Sequence, residues 1–226
     1  EVENSIRHYQ GHLAKELAVD GRAKPYAVFN SLSWERCEWI QLQGQWQWAV
    51  IPALGCKAMD AAQASTHEEE AAALTARADS LENDYLRVNF HSDGSIASIY
   101  DKKNSREVLL EGRCANRFAV YRDLGDAWDS PLDYAEQTPR YLQLTGAKAS
   151  IDGPRALLEQ VYKLGDSELV QEIILTLGSP RLNFVTRVRW REVSSMLRTS
   201  FPVAVQTSEA ACEIQYLLNF YPFRQS

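Results

Sequence analysis

The sequence predicts a mainly β protein, a large antiparallel β-sandwich preceded by one amphipathic helix. Three observations lead to this fold class. Apolar residues recur at helical spacing over residues 2–17. From residue 81 onward, short β-branched and aromatic runs alternate with polar residues in the period of a strand. Turn residues separate these runs at intervals of roughly 8–12 residues, which is typical of an antiparallel sandwich and not of strand–helix–strand units.

The helix is placed by its apolar face and by the residues that end it. Gly21 and Pro25 stop the helical pattern. A helix of this length cannot bury its apolar face alone, so we expect it to pack on the rest of the domain or on another helix. The face consists of Val2, Ile6, Tyr9, Leu13 and Leu17.

Two histidines on the same helix are the most conspicuous metal candidates. His8 and His12 lie four residues apart, with Glu16 one turn further, and two imidazoles at this spacing can ligate zinc. On a helical wheel the histidines lie roughly 100° or more from the apolar face, on the solvated flank. We therefore favour an exposed structural role for them and assign no metal ligand.

Strand candidates fill most of the remaining chain. Residues 60–80 interrupt them as a polar linker or irregular edge segment, with a short helix as the alternative, because only Leu74 offers an apolar anchor there. The predicted organisation is a helix over 1–24, a small β segment with the linker over 25–80, and the main sandwich over 81–226. The strand candidates are Tyr26–Asn30, Glu38–Leu42, Trp46–Ile51, Leu86–Phe90, Leu157–Leu164, Leu169–Leu177, Leu182–Trp190 and Phe201–Val205.

Composition excludes several classes of function. The 226 residues include 24 basic and 30 acidic ones, and the net charge of −6 argues against nucleic acid or an anionic membrane as partner. No apolar run approaches the roughly 20 residues of a membrane helix, and no secretory signal is visible. Four scattered cysteines are predicted to be reduced and mostly buried, which favours the cytoplasm. The chain opens at Glu1, which indicates a piece of a longer polypeptide.

One segment has chemistry that suits a sugar. Between residues 123 and 134, several carboxylates flank Trp128 in a stretch that also contains Gly and Pro. Indole faces stack on sugar rings, and carboxylate oxygens accept hydrogen bonds from sugar hydroxyls. The alternative is a solvated acidic loop with one aromatic anchor. The sequence contains no GxSxG nucleophile motif and no Gly-rich phosphate loop.

Several segments carry a resemblance to a known family, in the family's order, over most of residues 25–216. The longest is LENDYLRVNFHSDGSIASIYDKKNSREVL at Leu81–Leu109. The others are FNSLSWER at Phe29–Arg36, IPALG at Ile51–Gly55, NRF at Asn116–Phe118, DAWD at Asp126–Asp129, SEA at Ser208–Ala210 and EIQY at Glu213–Tyr216. Together they resemble the C-terminal β portion of the family 38 glycoside hydrolases, the retaining α-mannosidases.

The resemblance implies a galactose mutarotase-like supersandwich that follows the last helix of an upstream bundle. In this family an N-terminal α/β domain carries zinc, an aspartate nucleophile and a carboxylic general acid, and the reaction retains configuration. No HHD stretch of the zinc-binding kind occurs in this sequence. We therefore expect zinc and the catalytic residues outside the chain, and expect the chain alone to be inactive. The implied partners are a mannose-containing oligosaccharide or mannoside and the chain's own catalytic domain, with a homo-oligomer left open.

Within this chain the resemblance favours Asp126, Trp128 and Asp129 as substrate-binding residues. The alternative is that Trp128 packs in the core while the aspartates cap turns or pair with Arg117 and Arg122. For the whole protein, the alternative to a region of an α-mannosidase is a free-standing carbohydrate-binding β-sandwich. A purely structural interaction module is a third hypothesis.

Overall fold

The computed structural model confirms the predicted fold class. Within its described residues the chain is mainly β, its strands pair antiparallel, and its α-helix lies at the N-terminal end. The chain divides into two compact units, residues 1–72 and 73–226. The described residues are 2–17, 25–62, 74–123, 133–214 and 217–222.

The first unit contains the helix α1, which spans Val2–Leu17 as predicted. No helix in the described ranges is both long enough and apolar enough to cross a membrane. Four strands follow in two antiparallel pairs, β1 with β4 and β2 with β3. These strands are β1 (Pro25–Phe29), β2 (Arg36–Leu42), β3 (Gln45–Ile51) and β4 (Cys56–Asp60).

A small core lies between the two strand pairs. The Gln47 side-chain amide is buried and donates a hydrogen bond of 2.7 Å to the Asp60 carbonyl, which ties β3 to β4. On α1, Tyr9 and Leu13 are 69% and 48% exposed, so the expected packing of the apolar face is not met at these two positions. The core residues are Ala49, Ile51 and Met59, against which Val28, Ile40 and Leu42 pack.

The second unit contains strands β5 to β18 in antiparallel sheets. A five-stranded sheet has the order β5 (Thr75–Arg77), β6 (Ser80–Glu82), β7 (Leu86–Phe90), β8 (Ile96–Asp101) and β9 (Arg106–Glu107). A four-stranded sheet has the order β12 (Gln143–Asp152), β13 (Arg155–Leu164), β14 (Ser167–Thr176) and β15 (Leu182–Arg189). The remaining strands are β10 (Ala119–Arg122) between β11 (Arg140–Tyr141) and β16 (Ser195–Arg198), and the hairpin of β17 (Glu209–Ile214) and β18 (Leu217–Pro222).

The period of two in the sequence puts one face of each large sheet in the core. On β14 the alternate residues Leu169, Ile173 and Leu175 have no exposed surface. In the five-stranded sheet Leu81 and Val88 are likewise fully buried. Alternating burial of this kind is what distinguishes a core-facing antiparallel strand from a solvated one.

Some strand predictions differ from the structure. Residues 201–205 make a single bridge, Val203 to Leu109, instead of a strand. The strand β12 was not predicted, because its sequence QLTGAKASID is largely polar and exposed. In the described part of residues 60–80, β5 and the start of β6 replace the predicted linker.

The four cysteines are free thiols, but the prediction that most are buried was wrong. Cys37 and Cys212 are exposed, and Cys56 and Cys114 are half-buried. Cys37 lies on β2, which belongs to a two-stranded sheet. A pair of strands has too little neighbouring structure to cover both of its faces, so half of its side chains remain accessible.

Buried amide side chains connect the layers of the second unit. The Gln160 amide nitrogen on β13 donates to the Gly94 carbonyl in the turn between β7 and β8 (3.1 Å). The Asn116 amide nitrogen, in the segment that precedes β10, donates to Gln171 Oε1 on β14 (2.6 Å). Together with Asn83, these residues are called the interlayer amides. Because a polar group in the core must be hydrogen-bonded, each fixes the distance between two segments.

Asn83 makes the most complete set of these bonds. Its side chain is fully buried, and its amide nitrogen donates to the carbonyls of Thr176 (2.7 Å) and Ser179 (2.9 Å). Its amide oxygen accepts from the backbone nitrogens of Tyr85 (2.9 Å) and Leu86 (2.7 Å). All four bonding positions of this amide are used, so Asn83 ties the turn before β7 to the end of β14.

We expect Asn83→Ala to lower the free energy of unfolding by about 3 kcal/mol, because buried carbonyl and amide groups lose their partners. Urea unfolding followed by circular dichroism measures this change. Asn183→Ala, an exposed asparagine on the edge strand β15, is the matched control and should change the stability by less than about 0.5 kcal/mol. Equal losses in the two variants would contradict the role of Asn83.

Candidate functional site

The predicted substrate-binding residues Asp126, Trp128 and Asp129 lie outside the described residues, between residues 123 and 133. The structure describes both ends of that segment and the surface on which it is carried. The segment follows β10 directly and precedes a short 3₁₀ helix at Tyr134–Glu136.

A glutamine side chain closes the base of this segment. Gln137 Oε1 accepts a hydrogen bond from the Arg122 backbone nitrogen (2.9 Å), and Gln137 Nε2 donates to the Arg122 carbonyl (3.2 Å). The side-chain amide thus pairs with one residue of β10 as a neighbouring strand would. We call this closure the neck. It brings the two ends of the segment together at one point on the surface.

Aromatic and basic side chains attach the neck to the sheet beneath it. The rings of Tyr121 and Tyr134 meet edge to face with centroids 5.4 Å apart. The guanidinium of Arg198, on the neighbouring strand β16, lies 3.9 Å from the centre of the Tyr134 ring. The Asp123 backbone nitrogen donates to the Ser194 carbonyl (2.9 Å). Such contacts are individually worth about 1 kcal/mol, and together they hold Asp123 and Tyr134 against the sheet.

A cleft of about 370 Å³ opens near the other end of β10. Its rim is polar and carries an ion pair of 3.1 Å between Arg117 and Asp93, whose side chains are 44% and 43% exposed. The Arg117 guanidinium also stacks on the Tyr141 ring at 3.8 Å. Its floor is made of the buried side chains Phe118, Leu142 and Tyr162.

The rim carboxylate is held in its ionised form. Burial alone would raise the pKa of Asp93, but hydrogen bonds from the Ser95 hydroxyl (2.6 Å) and the Ser95 backbone nitrogen (3.0 Å) and the positive charge of Arg117 outweigh that effect. The pKa of Asp93 therefore lies below its ordinary value. An ionised carboxylate accepts hydrogen bonds from hydroxyl groups, whereas a general acid needs a raised pKa.

The floor of the cleft depends on a glycine. Gly94 has a backbone φ of +84°, and a methyl group placed on it would lie 2.1 Å from the Tyr162 hydroxyl oxygen. Burial raises the pKa of Tyr162 far above its ordinary value, so the hydroxyl stays protonated and donates to Gln160 Oε1 (2.8 Å). This bond orients the Gln160 amide toward the Gly94 carbonyl. The rim and the interlayer amides thus form one network.

Sequence reasoning did not find this rim. Asp93 and Arg117 lie in motifs that carry the family resemblance, but the contact between them was not predicted. The two residues are far apart in the sequence and belong to different loops. A local signal existed only for the turn at Asp93-Gly94, where Gly supplies the positive φ.

The described residues do not fit a zinc site. His8 and His12 are exposed on α1 with ring centroids 4.7 Å apart. In the ranges that the structure describes, no group of three or more His, Cys, Asp or Glu side chains converges on one point, whereas zinc sites use at least three protein ligands. No step of the chemistry is therefore assigned to a metal held by these residues.

Comparison with known proteins identifies the family. The model of the glycosyl hydrolases family 38 C-terminal domain matches residues 81–218, which is more than half of the chain. The chain belongs to glycoside hydrolase family 38. The matched range contains the cleft, the neck and the three predicted substrate-binding residues, and it excludes strands β1–β4.

The similarity of the chain to individual proteins is consistent with this membership. The chain is 31% identical over 145 residues to the human protein named Alpha-mannosidase 2C1, and 30% identical over 146 residues to Alpha-mannosidase G of Dictyostelium discoideum. These alignments cover 60% of this chain but only 14% and 13% of the relatives. The family 38 chain therefore spans a small part of the length of the proteins it matches.

We expect Gly94→Ala to destabilise the protein more than Gly112→Ala. Both glycines have a positive φ, +84° and +71°, but no other part of the chain lies within 4 Å of a methyl group at residue 112. Gly112→Ala should cost about 1–2 kcal/mol of backbone strain, and Gly94→Ala should cost about 2 kcal/mol more from the clash with Tyr162. Thermal and urea unfolding measure the loss of stability in both variants. Similar losses in the two variants would contradict the close approach of Gly94 to the Tyr162 hydroxyl.

We expect the stabilising effect of Asp93 to depend on pH. Because its folded pKa is lowered, its contribution is complete above the unfolded value near 3.9 and is lost as the pH falls through the folded pKa. Asp93→Asn should lower the free energy of unfolding at neutral pH by at most about 1 kcal/mol, since both partners are partly exposed. As the pH falls below the unfolded value and through the folded pKa, the difference from the wild type should shrink toward zero.

Urea unfolding at several pH values measures this effect. Asp166→Asn, at an exposed aspartate in the turn between β13 and β14, is the control for a general change in net charge. A loss of stability in Asp93→Asn that stays constant from neutral to acid pH would contradict the ionised role of the carboxylate.

Proposed function

We propose that this chain is the C-terminal β region of a retaining α-mannosidase, an enzyme that hydrolyses terminal α-mannosyl linkages. In this proposal the region is non-catalytic: it packs on the N-terminal catalytic domain and shapes the rim of the active site. The observation that carries the proposal is the family match over residues 81–218, together with relatives that are named α-mannosidases and are several times longer.

The neck supports a role for the segment that contains Asp126, Trp128 and Asp129. The Gln137 amide joins Arg122 and Gln137, the described residues on the two sides of the segment. Function concentrates in loops of this kind, carried by a rigid sheet. An indole face would stack on a mannose ring, and the two carboxylates would accept hydrogen bonds from its hydroxyls.

Zinc and the reacting carboxyl groups belong, in this proposal, to the catalytic domain of the longer protein. When bound there, zinc would supply Lewis-acid contacts to sugar hydroxyls. In this proposal the residues of this chain position the substrate and take no part in breaking its glycosidic bond. A cytoplasmic location is also proposed, and the four free thiols support it, since thiols persist in a reducing compartment.

The mannosidase proposal makes a kinetic prediction for the longer protein. Trp128→Ala or Asp126→Asn should lower kcat/KM for an aryl α-mannoside at least tenfold, about 1.4 kcal/mol of transition-state stabilisation. The melting temperature should stay nearly unchanged. Asp133→Asn, an exposed aspartate at the end of the same segment, is the matched control and should leave kcat/KM unchanged.

Three outcomes would contradict parts of the proposal. A fall in melting temperature with full activity in the folded fraction would make Trp128 a structural residue. Robust hydrolysis by the 226-residue chain alone would contradict the non-catalytic role. Binding of mannosides by a parent protein that hydrolyses none would favour the alternative, a free-standing carbohydrate-binding sandwich.

A further inference from the structure

The hairpin of β2 and β3 has two chemically different faces. Residues directly opposite each other in the register share a face. Ile40 faces Gln47 and Leu42 faces Gln45, and this inner face packs into the core of the first unit. The opposite face, which we call the tryptophan face, consists of the pairs Cys37–Val50, Trp39–Trp48 and Gln41–Trp46.

Three indoles cluster on the tryptophan face. Trp39 and Trp48 are directly opposite across the strands, with ring centroids 5.6 Å apart and planes at 67°. Trp46 lies two residues before Trp48 on the same strand, so its side chain is on the same side. All three are half-buried, and each makes a further interaction. Part of each indole is therefore accessible to solvent.

The face carries no charge, although 24% of the chain's residues are charged. Its polar side chain is Gln41, which is exposed and lies beside Trp46. Its amide nitrogen is 3.5 Å from the Gly44 carbonyl, a weak hydrogen bond that leaves the amide available. Indole planes beside an exposed amide match a neutral ligand with apolar ring faces and hydroxyl groups, which is the chemistry of a saccharide.

The area of the face also favours a small ligand over a protein. A half-buried indole leaves at most about 100 Å² exposed, so three leave at most about 300 Å², whereas a stable protein interface buries about 800 Å² on each partner. A single sugar ring covers far less surface. Because an indole needs few rotatable bonds to be ordered, stacking one ring on it carries a small entropic cost.

We propose that the tryptophan face binds an α-mannosyl saccharide. The site lies in residues 36–51, outside the range that the family model matches. One indole of the edge-to-face pair Trp39–Trp48 stacks on the sugar ring while the other supports it, and the Gln41 amide bonds a sugar hydroxyl. The choice of mannose rests on the proposed function, whereas the stacking surface rests on the hairpin alone.

Titration of the 226-residue chain with a short α-linked mannan oligosaccharide tests this proposal. We expect tryptophan emission to change with saturation at a dissociation constant of about 1 mM or tighter. Trp39→Ala and Trp48→Ala should each weaken binding at least tenfold. Trp34→Ala is the matched control, because Trp34 is 60% exposed in the segment between β1 and β2 and does not belong to the face. It should leave binding unchanged.

A further variant keeps the test informative if Trp39→Ala or Trp48→Ala unfolds. Gln41→Ala removes only an exposed amide, so the fold should persist while binding weakens several-fold. No saturable change with the mannan oligosaccharide, an equal response to a β-linked glucan of the same length, or equal effects of Trp34→Ala and Trp48→Ala would each overturn the proposal. Hydrolysis is measured separately on the longer protein, so a failed mannosidase assay is distinct from failed binding.

Discussion

The hydrogen bonds of the interlayer amides are the interaction on which the larger unit depends. Apolar burial alone would let two antiparallel sheets slide, because apolar contacts have no direction. Asn83, Asn116 and Gln160 each join segments distant in the sequence through directional bonds in the buried interior. There a mismatch of one residue would leave several polar groups without partners. The register between the layers is thus set by polar groups, while the apolar residues supply most of the stabilisation.

The same network reaches the surface at the cleft. Gln160 holds the turn that contains Gly94, and the adjacent residue of that turn, Asp93, forms the ion pair with Arg117 at the rim. The position of the Asp93 carboxylate at the rim therefore depends on a hydrogen bond in the core. Rigid placement of this kind suits a region whose proposed task is to position a substrate and not to react with it. The tryptophan face belongs to the other unit and depends on the hairpin register alone.

Much of the fold could be predicted from the sequence, because period and turn residues are local signals. The bounds of α1 and the strands near Leu169–Leu177 followed from spacing alone. The strand β12 could not be predicted, since its largely polar sequence forms a strand only because it pairs with β13. The rim was missed for a related reason: the meeting of Asp93 and Arg117 is a property of tertiary packing. The predicted residues near Trp128 lie outside the described ranges and remain predictions.

The neck has an evolutionary consequence. Because the Gln137 amide completes the hydrogen bonds of Arg122 at the base, the sheet below does not depend on how many residues separate the two ends. The entropy of closing a loop grows only with the logarithm of its length, so a doubling costs about 0.6 kcal/mol. Insertions and deletions in this segment can therefore accumulate at nearly constant stability. Length variation among such sandwiches is then confined to one insertion point, where it does not disturb the core.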